Sequence, residues 1–63
     1  MKNEAIIKNH LNAKEKEYFS LYLKNGSFRE RVFNALYQLK SIARIRNQYQ
    51  IEKAIETFLI NQR

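Results

Sequence analysis

Basic and aromatic residues between positions 29 and 46 are the side chains of this chain best suited to binding chemistry. No acidic residue occurs between Glu30 and Glu52, whereas cations and rings recur through that segment. Cations beside exposed rings can pair with phosphates and stack on bases, or they can hold an acidic amphipathic protein. The predicted recognition residues, for a protein or nucleic-acid partner, are Arg29, Phe33, Tyr37, Lys40, Arg44 and Arg46.

Helical spacing would bring most of these residues onto one side of a helix. At about 100° per residue, Arg29, Lys40 and Arg44 fall within about 60° of one another. Phe33 and Tyr37 share that sector, which lies beside an apolar seam. Two interpretations therefore stay open: a basic-aromatic groove that binds a partner, and a solvated basic face beside rings that belong to the core.

The chain lacks the residue types that a catalytic site needs. It has one histidine, no cysteine, no aspartate and six separated glutamates. General acid–base catalysis requires titratable groups that converge in a pocket, and a glycine-rich phosphate loop cannot form with one glycine. We therefore predict a protein that is not an enzyme. It would have no catalytic, cofactor or metal site and no small-molecule substrate.

Length and composition indicate one small domain. A chain of 63 residues buries only about 60% of its unfolded surface, so its core is thin. Without cysteine it has no disulfide or thiolate zinc site, and oligomerisation remains as a way to bury more of its 44% apolar residues. We predict a single helical domain over 1–63, with an N-terminal arm at 1–11, that forms a homodimer.

The charge balance restricts the kinds of partner. Twelve Lys and Arg against six Glu give a net charge of +6, which attracts nucleic acid, anionic membrane or an acidic protein. The longest apolar runs, Ala5-Ile6-Ile7 and Phe58-Leu59-Ile60, are far shorter than a membrane span or a signal-peptide core. We expect a protein or DNA partner, no membrane partner, and a cytoplasmic location, in the host cytoplasm if the protein is viral.

Helix punctuation predicts an all-α fold of two or three helices, at about 13–25, 28–45 and 51–61, which form a hairpin that dimerises. Proline is absent, and Gly26 is the only glycine. Asn12 and Glu15 form a capping-box pattern, as do Ser27 and Glu30. Residues 3–11 fit either a short helix or an extended arm.

Apolar residues in the segment 28–45 recur at intervals of four and three, as in a coiled coil. The phase changes around 46–50, where a continued seam would bury charge. Alternation there also permits a short strand at 43–50. The predicted dimer interface consists of Phe28, Val32, Ala35, Leu36, Leu39 and Ile42.

The stretch 11–30 resembles the start of the LuxR-type DNA-binding domain, in which a Glu-rich helix and a glycine–serine turn lead into a helix-turn-helix. The resemblance implies a turn at Gly26, a recognition helix from Phe28 onward and a core position at Val32. Tyr22 departs from it, because that motif has a small residue there.

In size, charge and lack of an enzyme signature the chain also resembles small accessory proteins from the early regions of temperate bacteriophages. That resemblance implies a non-enzymatic regulator that acts by contact. Our first expectation is a homodimer that binds a protein partner through the basic-aromatic groove, and the alternative is a dimeric DNA-binding transcriptional regulator of helix-turn-helix type. The surplus of rings favours the first, because phosphate contacts need cations and not rings.

Overall fold

The protein consists of four α-helices joined by short turns in a computed structural model that describes residues 2–62. Met1 and Arg63, the ends of the predicted 1–63 domain, lie outside the described residues. The part of the chain that is described contains no strand, and the all-α prediction is confirmed. In chain order the helices are α1 (Lys2–Asn9), α2 (Ala13–Asn25), α3 (Arg29–Ile45) and α4 (Tyr49–Asn61).

The three predicted helices correspond to α2, α3 and α4, with ends that differ by at most two residues. Most of the predicted arm is helical as well, since α1 ends at Asn9. The possible short strand at 43–50 does not form. The backbone N–H of Arg46 donates to the carbonyl of Ile42 at 3.0 Å, and that of Gln48 donates to Ala43 at 2.8 Å. These local bonds satisfy the backbone that a strand would need to pair with a neighbour.

Both ends of α2 form as predicted. The backbone N–H of Glu15 donates to Oδ1 of Asn12 at 2.8 Å, and the N–H of Asn12 donates to Oε1 of Glu15 at 3.0 Å. At the other end Gly26 has φ 79° and ψ 8°, and its N–H donates to the carbonyl of Tyr22. Glycine adopts this left-handed conformation without the steric cost that a Cβ brings, which is why α2 ends there.

The capping box predicted at Ser27 and Glu30 does not form. The N-cap of α3 is Phe28, which has φ 59° and no side-chain cap bond. The left-handed region is unfavourable for a bulky residue, so a contact must compensate. Here the Phe28 ring lies against Tyr18 of α2, with 4.6 Å between ring centroids. Helix α3 starts one residue later than the predicted capping box would place it.

Helix α4 lies at the centre of the fold. Both α1 and α3 pack against it, and α2 packs against α3 while its Phe19 reaches Phe58 of α4, with 5.3 Å between centroids. Burying one large apolar side chain contributes about 1.5–3 kcal/mol to the free energy of unfolding, so the stability of the whole chain depends on this small core. The core residues are Ile7, Leu11, Phe19, Val32, Leu36, Ala43, Ile51, Ala54, Ile55 and Phe58.

Much of the apolar seam of α3 packs inside the protomer. Val32 and Leu36 are buried, and Ala35 and Leu39 are partly buried against the same core. The two ends of the predicted interface are exposed: Phe28 at 44% and Ile42 at 45%. A coiled-coil pattern indicates that another helix covers the apolar seam, but it does not say whether that helix belongs to the same chain or to a second one. In this fold α2 and α4 of the same chain cover it.

Candidate functional site

Five of the six predicted recognition residues lie on one side of α3, but they differ in exposure. Arg29, Tyr37, Arg44 and Arg46 are exposed, whereas Lys40 and Phe33 are partly buried. Arg46 follows the end of α3 and lies about 160° around the helix from Arg44, so it faces elsewhere.

Phe33 belongs to the core wall. Its ring meets Tyr22 edge to face at 5.7 Å between centroids, and it packs against the buried cluster. The guanidinium carbon of Arg29 lies 4.7 Å from the centre of the same ring and covers it from outside. Of the two rings predicted to line the groove, Tyr37 is mainly exposed, at 53%, and Phe33 is partly buried.

Lys40 connects α3 to α4. Its Nζ lies 3.7 Å from Oε1 of Glu56, and both side chains are partly exposed to solvent. Pairs of this kind contribute less than about 1 kcal/mol to stability. The carboxylate does, however, offset the charge of Lys40, so this residue attracts a phosphate less than a lone cation would.

The exposed side of α3 shares only Tyr37 and Arg44 with the middle of the predicted groove, and its other residues were not predicted as recognition residues. Its side chains cover a sector of about 140°, centred opposite the buried Val32, Leu36 and Ala43. Glu30 in the first turn and Ile45 in the last lie in the same sector. We call its middle part the outer face of α3, and it consists of Arg31, Asn34, Tyr37, Gln38, Ser41 and Arg44.

Sequence reasoning missed Asn34, Gln38 and Ser41. Amide and hydroxyl side chains on a helix cannot be distinguished from ordinary solvated residues while the buried side of the helix is unknown. Their spacing alone therefore did not indicate a recognition surface. Arg31 also gains a neighbour from the fold, because its guanidinium carbon lies 5.5 Å from the ring centre of Tyr18 on α2. The ring of Tyr18 therefore contacts Arg31 at one end of the outer face of α3.

A shallow cleft of about 280 Å³ lies between α3 and α4. Its lining combines Tyr37, Leu59 and Ile60 with the Lys40–Glu56 pair. Ile60 is 61% exposed, so this α3–α4 cleft presents apolar surface to solvent beside a pair of opposite charges. Apolar surface ringed by polar groups is typical of protein contacts.

A larger depression of about 520 Å³ lies where the end of α1 meets the start of α4. His10 lines it together with Asn9, Asn47 and Tyr49, and the Tyr49 hydroxyl donates to Oδ1 of Asn47 at 3.2 Å. Its lining contains no carboxylate. Over residues 2–62, no three His, Asp or Glu side chains are grouped as metal ligands. Its only titratable side chains are those of His10 and Tyr49.

Comparison of the chain with known protein families, curated proteins and solved structures finds no match. None of the helices within residues 2–62 is both long enough and apolar enough to cross a membrane.

Proposed function

We propose that this protein is a small non-enzymatic regulator that binds duplex DNA as a dimer through the outer face of α3. The observation that carries the proposal is the position of the rings. A protein partner was favoured over DNA because the groove contained two aromatic residues, and Phe33 is packed against the core. What α3 exposes instead is arginine, amide and hydroxyl groups beside Tyr37, together with Glu30, Ile42 and Ile45.

The arginine, amide and serine side chains on the outer face of α3 each have a matching group on DNA. Arg31 and Arg44 can pair with phosphates, and such contacts supply most of the affinity of DNA-binding proteins. Asn34 and Gln38 carry amides that can make two hydrogen bonds to an adenine edge, and Ser41 can donate or accept. A 17-residue helix with its opposite side buried is a shape that the major groove admits.

The order of elements also supports the proposal. Helices α2 and α3 are separated only by residues 26–28, as in helix-turn-helix proteins, where the second helix enters the major groove and the first crosses the backbone. Exposed lysines on α2, namely Lys14, Lys16 and Lys24, provide further cations for phosphates. The resemblance to the LuxR-type DNA-binding domain likewise implies that α3 is the recognition helix.

A protein partner is the second candidate, and the α3–α4 cleft is the observation that favours it. Tyr37, Leu59 and Ile60 together offer apolar surface that DNA contacts do not require. The cleft and the outer face of α3 share only Tyr37. The two surfaces can therefore serve two different contacts on the same molecule.

Selection of binding sites from a random duplex pool, followed by anisotropy titrations at several salt concentrations, tests the DNA proposal. We expect an enriched sequence, and affinity for it that falls steeply with salt as counterions are released. Arg44→Gln should reduce the slope of log K against log salt by about 0.9. Asn34→Ala or Gln38→Ala should cost about 1–3 kcal/mol on the selected sequence and leave non-specific binding unchanged.

Lys8→Gln is the matched control, because it removes one exposed charge from α1, which does not adjoin α3 in the chain. It should reduce affinity less than Arg44→Gln does. If no sequence is enriched, and the two charge variants weaken binding equally, the protein is merely basic and the DNA proposal fails.

A further inference from the structure

The last turn of α3 presents a large apolar side chain to solvent. Ile45 is 81% exposed, more than any other large apolar residue in the described part of the chain. It lies about 20° around the helix from Asn34, the residue directly opposite the buried side of α3. An apolar side chain in the middle of a polar face is suited to contact an apolar group of a ligand.

Four residues form a line along the exposed side of α3. Asn34, Gln38, Ser41 and Ile45 follow one another at intervals of four, three and four residues, and all of them are exposed. They lie within about 40° of the direction opposite the buried side and extend over about 16 Å of helix. We call these four residues the central stripe of α3.

Positively charged side chains flank the central stripe. Arg31 lies about 60° to one side of the direction of Asn34, and Arg44 lies about 80° to the other side. Lys40 is further away, at about 120°, and it pairs with Glu56. The two arginines are therefore placed at the borders of a DNA groove that α3 enters, and no cation of α3 lies on the line that faces the base pairs.

Building on the proposed DNA-binding function, we propose that the base pairs facing the central stripe are A·T pairs, read from the major groove. Arginine and lysine make the commonest specific contact with guanine, and the stripe contains neither. Amides make paired hydrogen bonds to N6 and N7 of adenine, which Asn34 and Gln38 supply. The thymine methyl group accepts an apolar contact in the same groove, which Ile45 supplies.

The first turn of α3 limits this preference to the rest of the helix. Glu30 lies about 40° from the direction of Asn34, and a carboxylate can accept a hydrogen bond from the amino group of cytosine. A C·G pair is therefore compatible with the N-terminal end of α3, and the A·T pairs follow it. At about 3.4 Å per base pair, the central stripe is long enough to reach several pairs.

Selection from a random duplex pool, followed by base analogues in the selected duplex, tests this proposal. We expect A·T pairs at most of the enriched positions. Deoxyuridine in place of thymidine removes only the methyl group, and at one position it should raise the dissociation constant about threefold to fivefold. A 7-deazaadenine base lacks the N7 acceptor, and at one or two positions it should raise the dissociation constant at least about fivefold.

Protein variants assign these two penalties to the central stripe. In Ile45→Ala the deoxyuridine penalty should disappear, and in Gln38→Ala one 7-deazaadenine penalty should disappear. Ile60→Ala is the matched control for Ile45→Ala, because Ile60 is 61% exposed and lies on α4. It should leave both penalties unchanged, and circular dichroism should show that every variant is folded.

The outcomes separate this preference from the DNA proposal itself. An enriched sequence made mainly of G·C pairs overturns the A·T preference and leaves DNA binding standing. Base analogues without effect, or penalties that persist in Ile45→Ala and Gln38→Ala, also overturn it while DNA binding stands. A pool from which no sequence is enriched overturns both proposals.

Discussion

The Tyr22 hydroxyl donates a hydrogen bond to Oε1 of Gln62 across a separation of 40 residues, at 2.9 Å. The ring of the same tyrosine lies 5.7 Å from that of Phe33 and 6.4 Å from that of Phe58, measured between centroids. One side chain of α2 therefore contacts α3, α4 and the residue that follows α4. In a domain with so thin a core, this residue connects the N-terminal and C-terminal halves of the described chain.

Tyr22→Phe should lower stability by about 1 kcal/mol, because it removes this partly buried hydrogen bond and keeps the ring. For a domain of this size that corresponds to a fall of roughly 4–8 °C in melting temperature. Thermal denaturation followed by circular dichroism measures the change. Tyr37→Phe removes a hydroxyl from an exposed ring and should change stability by less than about 0.5 kcal/mol. Equal losses in both variants would contradict the role of the Gln62 bond.

Two cap variants distinguish the helix starts of α2 and α3. Asn12→Ala should cost about 1 kcal/mol, because its side chain accepts a bond from the N–H of Glu15. Ser27→Ala should cost much less, since α3 begins after Phe28 without a side-chain cap bond. Chemical denaturation of both variants measures the difference. A loss at Ser27 as large as that at Asn12 would show that the second capping box forms in solution.

The two rings of the predicted groove should respond differently to truncation. Phe33→Ala removes a ring that packs against Tyr22 and the core, and we expect a loss of up to about 3 kcal/mol or outright unfolding. Tyr37→Ala should change the stability of the monomer by less than about 0.5 kcal/mol, because Tyr37 is mainly exposed. Urea melts at a protein concentration low enough to exclude dimers test both. Similar losses would mean that the rings share one environment.

Features that depend on residues within about four positions could be predicted from the sequence. The absence of proline, with Gly26 as the only glycine, indicated helices on both sides of one turn, and the structure has them. The Asn12–Glu15 capping box was predicted for the same reason, because both of its hydrogen bonds close within one helical turn. Net charge was also evident without a fold, since composition alone defines it.

Features that depend on which helix covers which were decided by the tertiary structure. Phe28 takes a left-handed conformation against the Tyr18 ring, ten residues earlier, and no local rule for helix starts contains that contact. Phe33 and Tyr37 lie one turn apart on the same side of α3, yet Tyr22 covers only the first. Periodicity states which residues of a helix must be buried, and it cannot state which partner buries them, because burial depends on elements distant in the chain. The sequence therefore determined three of the four helices, and only their packing decided which surfaces remain exposed.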